Sequence, residues 1–221
     1  MKKVLVLMAL FCLNCYGANK EPESPAPKKL EIDEHSTIVC FGDSITFGKG
    51  AENPEESYPA FLQQKVNIPV INAGVNDNTT TDGLQRIEQD VLAHNPAIVL
   101  ICFGGNDRYY PSKKLSIKQI ESNFNEMIRL LDNGKREMYL IRFYNKHMRF
   151  LDIFWRFDRM LERIHAAHPN VRIINDIWRG VWGHKEYKYD ISHPNGKGNA
   201  IIAQTIFNEM KEVLEYNNLV K

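Results

Sequence analysis

Five short apolar runs recur along the chain and are separated by longer, more polar stretches. The runs cover residues 38–41, 70–71, 98–103, 139–141 and 171–174. The longer ones are continuous rather than alternating, which is typical of strands covered on both faces, as in a parallel sheet. The pattern therefore predicts five buried strands.

Apolar residues at helical spacing follow several of these runs. They recur every three or four positions through residues 117–131 and again through 202–214. Residues 152–168 show a third such pattern, with Trp155 and Ile164 available for burial. Strands that alternate with helices predict an α/β fold, here a three-layer α/β/α sandwich around a five-stranded, mostly parallel sheet. The predicted domain covers residues 35–221.

The amino-terminal residues follow a different pattern. Lys2 and Lys3 precede an apolar run over residues 4–13, which is too short to span a bilayer but typical of an export signal. We therefore predict a signal peptide over residues 1–18 and a protein exported to the periplasm or the cell surface. Residues 19–34 are rich in proline and charge, which predicts a disordered tether.

Two cysteines at the end of the signal bear on how the exported protein is held. Cys15 resembles the lipidation site of bacterial lipoproteins and is favoured over Cys12. A lipid there would attach the protein to a membrane, and a proline-rich tether between anchor and domain agrees with this. Simple cleavage near Ala18 and an uncleaved anchor are the alternatives that stay open.

Composition narrows the classes of partner. The 221 residues are 43% hydrophobic and 25% charged, with a formal net charge of +1. This balance argues against a nucleic-acid partner. Cys40 and Cys102 lie in predicted neighbouring strands, where a disulfide would strain the ladder, so we expect buried free thiols. No spacing of cysteine and histidine is typical of a zinc site.

Three of the predicted strands lead directly into short motifs of small and polar residues. These are residues 42–44 (GDS), 72–74 (NAG) and 104–107 (GGND). The carboxyl ends of parallel strands lie at one edge of a sheet, and sites in α/β folds form there. The sequence therefore predicts a functional site at this edge.

Ser44 and two residues near the end of the chain have the chemistry of nucleophilic catalysis. A serine hydroxyl needs a base to take its proton, and that base needs a carboxylate to hold its tautomer. His193 and Asp190 supply both groups and lie three residues apart, so a single loop can carry them.

Together with residues 190–195 (DISHPN), the three motifs resemble the four ordered blocks of the SGNH, or GDSL, family of serine hydrolases. The resemblance spans about residues 36–215 and implies a flavodoxin-like SGNH fold. It implies an acyl intermediate on Ser44, with His193 as base and Asp190 as its partner. The implied oxyanion-hole donors are the backbone amides of Ser44 and Gly74 and the side-chain amide of Asn106. No metal or organic cofactor is implied.

The resemblance is closest to the lysophospholipase, thioesterase and arylesterase branch, which implies a small-molecule acyl ester or thioester as substrate. A carbohydrate O-acetylesterase is the alternative within the hydrolases. An acyltransferase that uses an alcohol acceptor, and a surface lipoprotein that binds without catalysis, are alternatives from other classes. The oligomeric state is left open.

Several residues near the motifs receive structural interpretations. We expect Asp43 to brace the serine loop by accepting backbone hydrogen bonds, and Asp107 to be structural. Asp77 stands where the family commonly has a second glycine, and aspartate tolerates the left-handed backbone conformation better than most residues. Four aromatic residues before Asp190 either line a pocket or pack in the core: Trp178, Trp182, Tyr187 and Tyr189.

Overall fold

The sheet of the computed structural model, which describes residues 25–109, 114–142, 144 and 152–221, has five strands. All four strand pairs are parallel, in the order β2-β1-β3-β4-β5. This confirms the predicted five-stranded parallel sheet. The strands are β1 (Thr37–Gly42), β2 (Val70–Gly74), β3 (Pro96–Cys102), β4 (Glu137–Ile141) and β5 (Val171–Ile174).

Helices follow the strands along the chain. The three longest, α5 to α7, coincide with the three predicted helical patterns. The α-helices are α1 (Ser44–Phe47), α2 (Tyr58–Gln63), α3 (Thr80–Asp90), α4 (Asn106–Tyr109), α5 (Ile117–Leu131), α6 (Asp152–Ala167) and α7 (Gly196–Tyr216), and short 3₁₀ turns cover Pro54–Glu56, Leu92–His94 and Lys185–Tyr187.

The helices cover both faces of the sheet and give two hydrophobic cores. Ile38 and Cys40 of β1 face one core, which includes Ile206 of α7. Val39 and Phe41 alternate with them and face the other core, which is completed by residues of α5 and α6. Every residue of β1 and β3 is buried, which explains the continuous apolar runs. The three-layer α/β/α sandwich is confirmed.

The domain begins earlier than the predicted boundary at residue 35. The backbone amide of Leu30 donates to Asn217 Oδ1 at 2.8 Å, and Asn217 Nδ2 donates to the Lys28 carbonyl at 3.1 Å. The Leu30 side chain is only 3% exposed and lies in the core beside α7. The prediction of a disordered tether over residues 19–34 is therefore wrong for residues 28–30, because burial of Leu30 holds them against the domain.

The amino-terminal expectations lie outside the described residues: the signal peptide over 1–18, Cys12 and the lipidation at Cys15. Among the helices that are described, none combines the length and apolar character that crossing a membrane requires. Cys40 and Cys102 are buried and unpaired, as expected. Cys40 lies opposite Leu100 in the sheet and Cys102 opposite Gly42, so the two thiols are offset in register.

Candidate active site

Ser44 is the first residue of α1, directly beyond the carboxyl end of β1. Asp43 caps this short helix, and its Oδ1 accepts a hydrogen bond from the backbone amide of Ile45 at 3.0 Å. Gly48 ends the helix after one turn in the left-handed conformation, with φ of 92°. Asp43 thus braces the serine turn as the sequence predicts, and Ser44 is held at the sheet edge.

His193 and Asp190 come together with Ser44 at this edge. Ser44 Oγ lies 2.9 Å from His193 Nε2, although 149 positions separate them in the chain. On the other side of the ring, His193 Nδ1 lies 2.7 Å from Asp190 Oδ2. Both distances are those of hydrogen bonds. The carboxylate, the imidazole and the hydroxyl therefore form one continuous chain.

The loop that carries Asp190 and His193 is fixed by its own backbone. Asp190 Oδ1 accepts hydrogen bonds from the amides of Ser192 at 2.7 Å and His193 at 2.8 Å. Lys188 and Pro194 form an antiparallel bridge at the base of the loop, and Lys188 Nζ donates to the Ile191 carbonyl at 2.9 Å. One carboxylate oxygen therefore holds the loop while the other faces the imidazole.

Electrostatics differ between the two aspartates of the site. Burial acts to raise the pKa of Asp190, but hydrogen bonds from the His193 ring and from the two backbone amides prevail and lower it below its ordinary value. Asp43 is fully enclosed, and burial raises its pKa to about 7, with a further contribution from the charge of Asp107. Asp190 is thus the carboxylate that is favoured in its ionised form.

The expected oxyanion-hole donors lie at the same edge, but two of them already have acceptors. The backbone amide of Gly74 donates to Asn72 Oδ1 at 3.0 Å, and Asn106 Nδ2 donates to the Asn78 carbonyl at 2.9 Å. A side-chain amide carries two hydrogens, so Asn106 keeps one for another acceptor. The Ser44 amide, as the first in its helix, has no acceptor within that helix.

Gly74 is required by packing against α1. A Cβ on Gly74 would lie 2.1 Å from the backbone nitrogen of Phe47 and 2.5 Å from the carbonyl carbon of Thr46. No side chain fits at that distance, so glycine lets β2 approach the helix that carries Ser44. The register supports this placement, because Gly42 and Gly74 are direct partners in the sheet.

Asp107 and Asp77 behave as the sequence predicts. Both carboxylate oxygens of Asp107 lie 3.1 Å from the backbone nitrogen of Thr80, and the Thr80 hydroxyl also donates to it. Asp107 therefore holds the first residue of α3, and its burial raises its pKa. Asp77 has a φ of 62°, so an aspartate does occupy the left-handed conformation in the loop after Gly74.

The aromatic residues before Asp190 divide between core and surface. Trp178 is buried and packs edge-on against Trp182, with ring centroids 6.0 Å apart, and Tyr187 packs against the same core. Lys188 Nζ lies 4.6 Å from the centroid of the Trp182 ring. Tyr189, by contrast, is 65% exposed. Trp178 and Tyr187 therefore pack with the core.

Asn72, Asn78 and Arg86 are site residues that the sequence analysis did not identify. Asn72 and Asn78 accept the hydrogen bonds of two expected donors, and Arg86 Nε donates to Asn78 Oδ1 at 2.7 Å. The NAG motif itself contains Asn72 and could have drawn attention to it. Within the described part of the chain, no three His, Cys, Asp or Glu residues are grouped in a way that could hold a metal ion.

Known proteins resemble this chain in sequence and in fold. Residues 40–205 match the model of the GDSL-like Lipase/Acylhydrolase family. The chain is 28% identical to an arylesterase of Vibrio mimicus over 222 residues, which cover 95% of this chain and 98% of the arylesterase.

Solved structures with the same fold include two esterases. The psychrotrophic esterase EstA from Pseudoalteromonas sp. superposes with a TM-score of 0.69 at 22% identity, over 81% of this chain and 98% of EstA. A two-domain esterase active on acetylated mannans superposes with a TM-score of 0.62 at 24% identity, over 80% of this chain and 49% of that protein. The family match spans all four sequence motifs, and this chain therefore belongs to the GDSL-like lipase/acylhydrolase family of serine esterases.

Proposed function

We propose that this protein hydrolyses carboxylic esters or thioesters through an acyl intermediate on Ser44. The observation that carries the proposal is the chain of hydrogen bonds from Asp190 through His193 to Ser44, with distances of 2.7 and 2.9 Å. Family membership supports the reaction class, and the geometry supports these three residues as the catalytic groups.

Each of the three hydrogen-bonded side chains has a defined task in the proposed reaction. Ser44 Oγ attacks the acyl carbon while His193 Nε2 accepts the hydroxyl proton. His193 then donates that proton to the departing alcohol or thiol, and the acyl group remains on Ser44 as an ester. Water attacks this ester with His193 again as base, which releases the acid and restores the hydroxyl. Asp190 accepts from Nδ1–H throughout and stabilises the imidazolium.

The tetrahedral intermediates carry a negative oxygen, which we propose is bound by the backbone amides of Ser44 and Gly74 and the side-chain amide of Asn106. Asn106 can contribute the amide hydrogen that Asn78 leaves unused. The Gly74 amide would have to exchange Asn72 for the oxyanion. We expect this exchange to be favoured because a charged acceptor binds an amide more strongly than a neutral one does.

Exposed apolar side chains next to the catalytic residues support an apolar acyl or aryl substrate. Ile191 lies between Asp190 and His193 in the chain and is 80% exposed, and Tyr189 precedes the same loop. Phe47 ends the helix of Ser44, and it too is exposed. The arylesterase of Vibrio mimicus agrees with such substrates. Lysophospholipids and acyl thioesters remain within this proposal.

A carbohydrate O-acetylesterase is the second candidate, since a protein of the same fold is active on acetylated mannans. An acetyl group needs only a shallow binding site, whereas a long acyl chain needs an apolar groove. The two candidates therefore predict different dependence on acyl-chain length. An acyltransferase would be distinguished by faster product formation when alcohol acceptors are supplied.

We propose that the protein is exported and held at a membrane by a lipid on Cys15. The support is the short apolar run over residues 4–13 and the cysteine that follows it. Mass spectrometry of the amino-terminal peptide from the membrane fraction tests this. A lipid on Cys15 is the expected result, and an unmodified Cys15 in the mature chain would contradict it.

Hydrolysis of p-nitrophenyl acetate, butyrate, octanoate and palmitate by the full chain tests the proposed function. We expect activity that Ser44→Ala abolishes and that the matched control Ser122→Ala, at an exposed position of α5, retains. A maximum at the longer chains favours lipolytic or thioester substrates. Activity confined to the acetate ester favours the carbohydrate O-acetylesterase. Wild-type activity in Ser44→Ala would overturn the proposal.

A further inference from the structure

Arg86 of α3 is bound to three separate segments at the catalytic edge of the sheet. Its Nη2 donates to the Gly42 carbonyl at 2.8 Å, and its Nη1 donates to the Ala73 carbonyl at 2.9 Å. Its Nε donates to Asn78 Oδ1 at 2.7 Å. The guanidinium thus joins the end of β1, the end of β2 and the loop that follows β2.

Each of these contacts lies next to a proposed oxyanion-hole donor. The bound carbonyl of β1 is two residues before Ser44, and the bound carbonyl of β2 directly precedes Gly74. Asn78 accepts from Arg86 through its side chain and holds Asn106 through its backbone carbonyl, at 2.9 Å from Asn106 Nδ2. One side chain is therefore linked to all three donors, although it is not itself directed at the reacting atoms.

The guanidinium is held in place on its remaining sides. Its central carbon lies 4.6 Å from the centroid of the Phe41 ring and 5.7 Å from that of Phe103. Nη1 also pairs with Asp90 Oδ2 at 2.9 Å, one helical turn along α3. The side chain is only 15% exposed. A planar fork of donors is needed to reach acceptors in three directions, and a lysine ammonium lacks that geometry.

We infer that Arg86 is a positioning residue for the oxyanion hole: its guanidinium sets the relative positions of the Ser44, Gly74 and Asn106 donors. This inference rests on the proposed function. It implies that changes at Arg86 act on transition-state stabilisation, since the oxyanion forms only there. Among the described residues, the hydrogen bonds of Asp190 and His193 do not involve Arg86, so we expect His193 to keep its geometry when Arg86 is changed.

Arg86→Met and Arg86→Lys test the inference, with Arg129→Met as the matched control because the Arg129–Glu126 pair is exposed. Methionine keeps a long unbranched apolar side chain without the donors, and lysine keeps the charge. We expect kcat to fall roughly 10- to 100-fold in Arg86→Met, as donors shift by a fraction of an ångström, with KM changed less than about threefold. The kcat of Arg86→Lys should lie between those of Arg86→Met and wild type, and the kcat of Arg129→Met should equal that of wild type.

A double-mutant cycle with Asn106→Ala separates positioning from general stabilisation of the fold. If Arg86 acts through Asn106, Arg86→Met should cost less in the Asn106→Ala background than in wild type. The inference would be overturned if Arg86→Met lowered kcat by the same factor in both backgrounds, or if its effect were confined to KM. Full kcat in both Arg86→Lys and Arg86→Met would overturn it too. When Ser44→Ala is inactive, any of these outcomes refutes only the role of Arg86. Activity in Ser44→Ala would instead refute the proposed function itself.

Discussion

Asp190 binds His193 twice: Oδ2 lies 2.7 Å from the ring nitrogen Nδ1, and Oδ1 accepts the backbone amide of the same residue at 2.8 Å. The first contact favours the tautomer in which Nδ1 carries the hydrogen, which leaves Nε2 free to accept a hydrogen bond from the Ser44 hydroxyl. The second fixes the distance between the carboxylate and the backbone of its partner. Orientation of the imidazole is therefore built into a loop of four residues.

Asp190→Asn should reduce kcat by roughly 1,000- to 10,000-fold without unfolding the protein. The amide oxygen can still accept the backbone hydrogen bonds, but its NH₂ group facing Nδ1 favours the wrong imidazole tautomer. Ester hydrolysis and thermal unfolding measure the two effects separately. Glu212→Gln, at an exposed position of α7, is the control. A kcat within a few-fold of wild type would show that Asp190 does not orient the base.

Asn106→Ala should lower kcat by about 100- to 1,000-fold and change KM little, because the role proposed for its amide is to bind the negative charge of the transition state. Steady-state kinetics on one ester substrate gives both constants. Asn208→Ala, an exposed asparagine of α7, should leave them unchanged. A rise in KM with kcat preserved would instead indicate a role in substrate binding.

Activity should fall as the pH is lowered, because a protonated imidazole cannot accept the Ser44 proton. The pKa of Asp190 is lower than its ordinary value, so this carboxylate stays ionised while the activity falls. The profile of kcat/KM against pH should therefore show a single loss on the acid side. A flat profile from about pH 5 to 8 would contradict His193 as the base.

Asp43 should make stability depend on pH in an unusual direction. Its pKa rises from 3.8 to about 7 on folding, so the folded state binds this proton more tightly than the unfolded state does. Its contribution to the free energy of unfolding is fully present below pH 3.8 and is lost as the pH rises to about 7.

Denaturant unfolding of wild type and Asp43→Asn at several pH values measures this contribution. Asparagine can still accept from the Ile45 amide, so the variant should gain stability relative to wild type as the pH rises through that window. Glu34→Gln, which changes an exposed carboxyl, should show the same pH dependence of the free energy of unfolding as wild type. A constant difference between Asp43→Asn and wild type would show that Asp43 titrates alike in both states.

Leu30→Ala should destabilise the domain by about 2–4 kcal/mol, since a buried leucine side chain is removed from the core. Glu31→Ala, next to it on the surface, is the control. The free energy of unfolding measured by denaturant gives the comparison. Equal stability of Leu30→Ala and wild type would restore the tether boundary at residue 35.

The strands and the placement of Ser44, Asp190 and His193 at one edge of the sheet could be predicted because their signals are local. Every residue of β1 and β3 is buried, which leaves a continuous apolar run in the sequence. Ser44, Asp190 and His193 lie in short motifs whose residue types the chemistry itself demands. The apolar pattern does not predict helix α3 because the buried face of this helix is small: only Thr80, Gly83 and Ile87 are buried. Its capping box of Thr79 and Asp82 was the available signal.

Other features depend on partners that are distant in the chain. The local sequence places Leu30 in the tether because the side chain that accepts its backbone amide, Asn217, lies 187 positions away. Arg86 lies in a polar segment of the sequence, which is typical of a surface arginine. Only the fold brings its guanidinium to the ends of β1 and β2 and to the loop after β2. The packing role of Gly74 likewise depends on where α1 lies against β2. Such roles are set by tertiary contacts and leave no pattern in the local sequence.

The central claim is that Ser44 is the nucleophile, and reaction with a p-nitrophenyl alkylphosphonate ester tests it most directly. Attack by the serine releases p-nitrophenol and leaves a stable phosphonyl ester on the enzyme. We predict a burst of one p-nitrophenol per chain, with the mass increase mapped to the peptide that contains Ser44 and absent in Ser44→Ala. Modification of another residue, or a full burst from Ser44→Ala, would contradict the account.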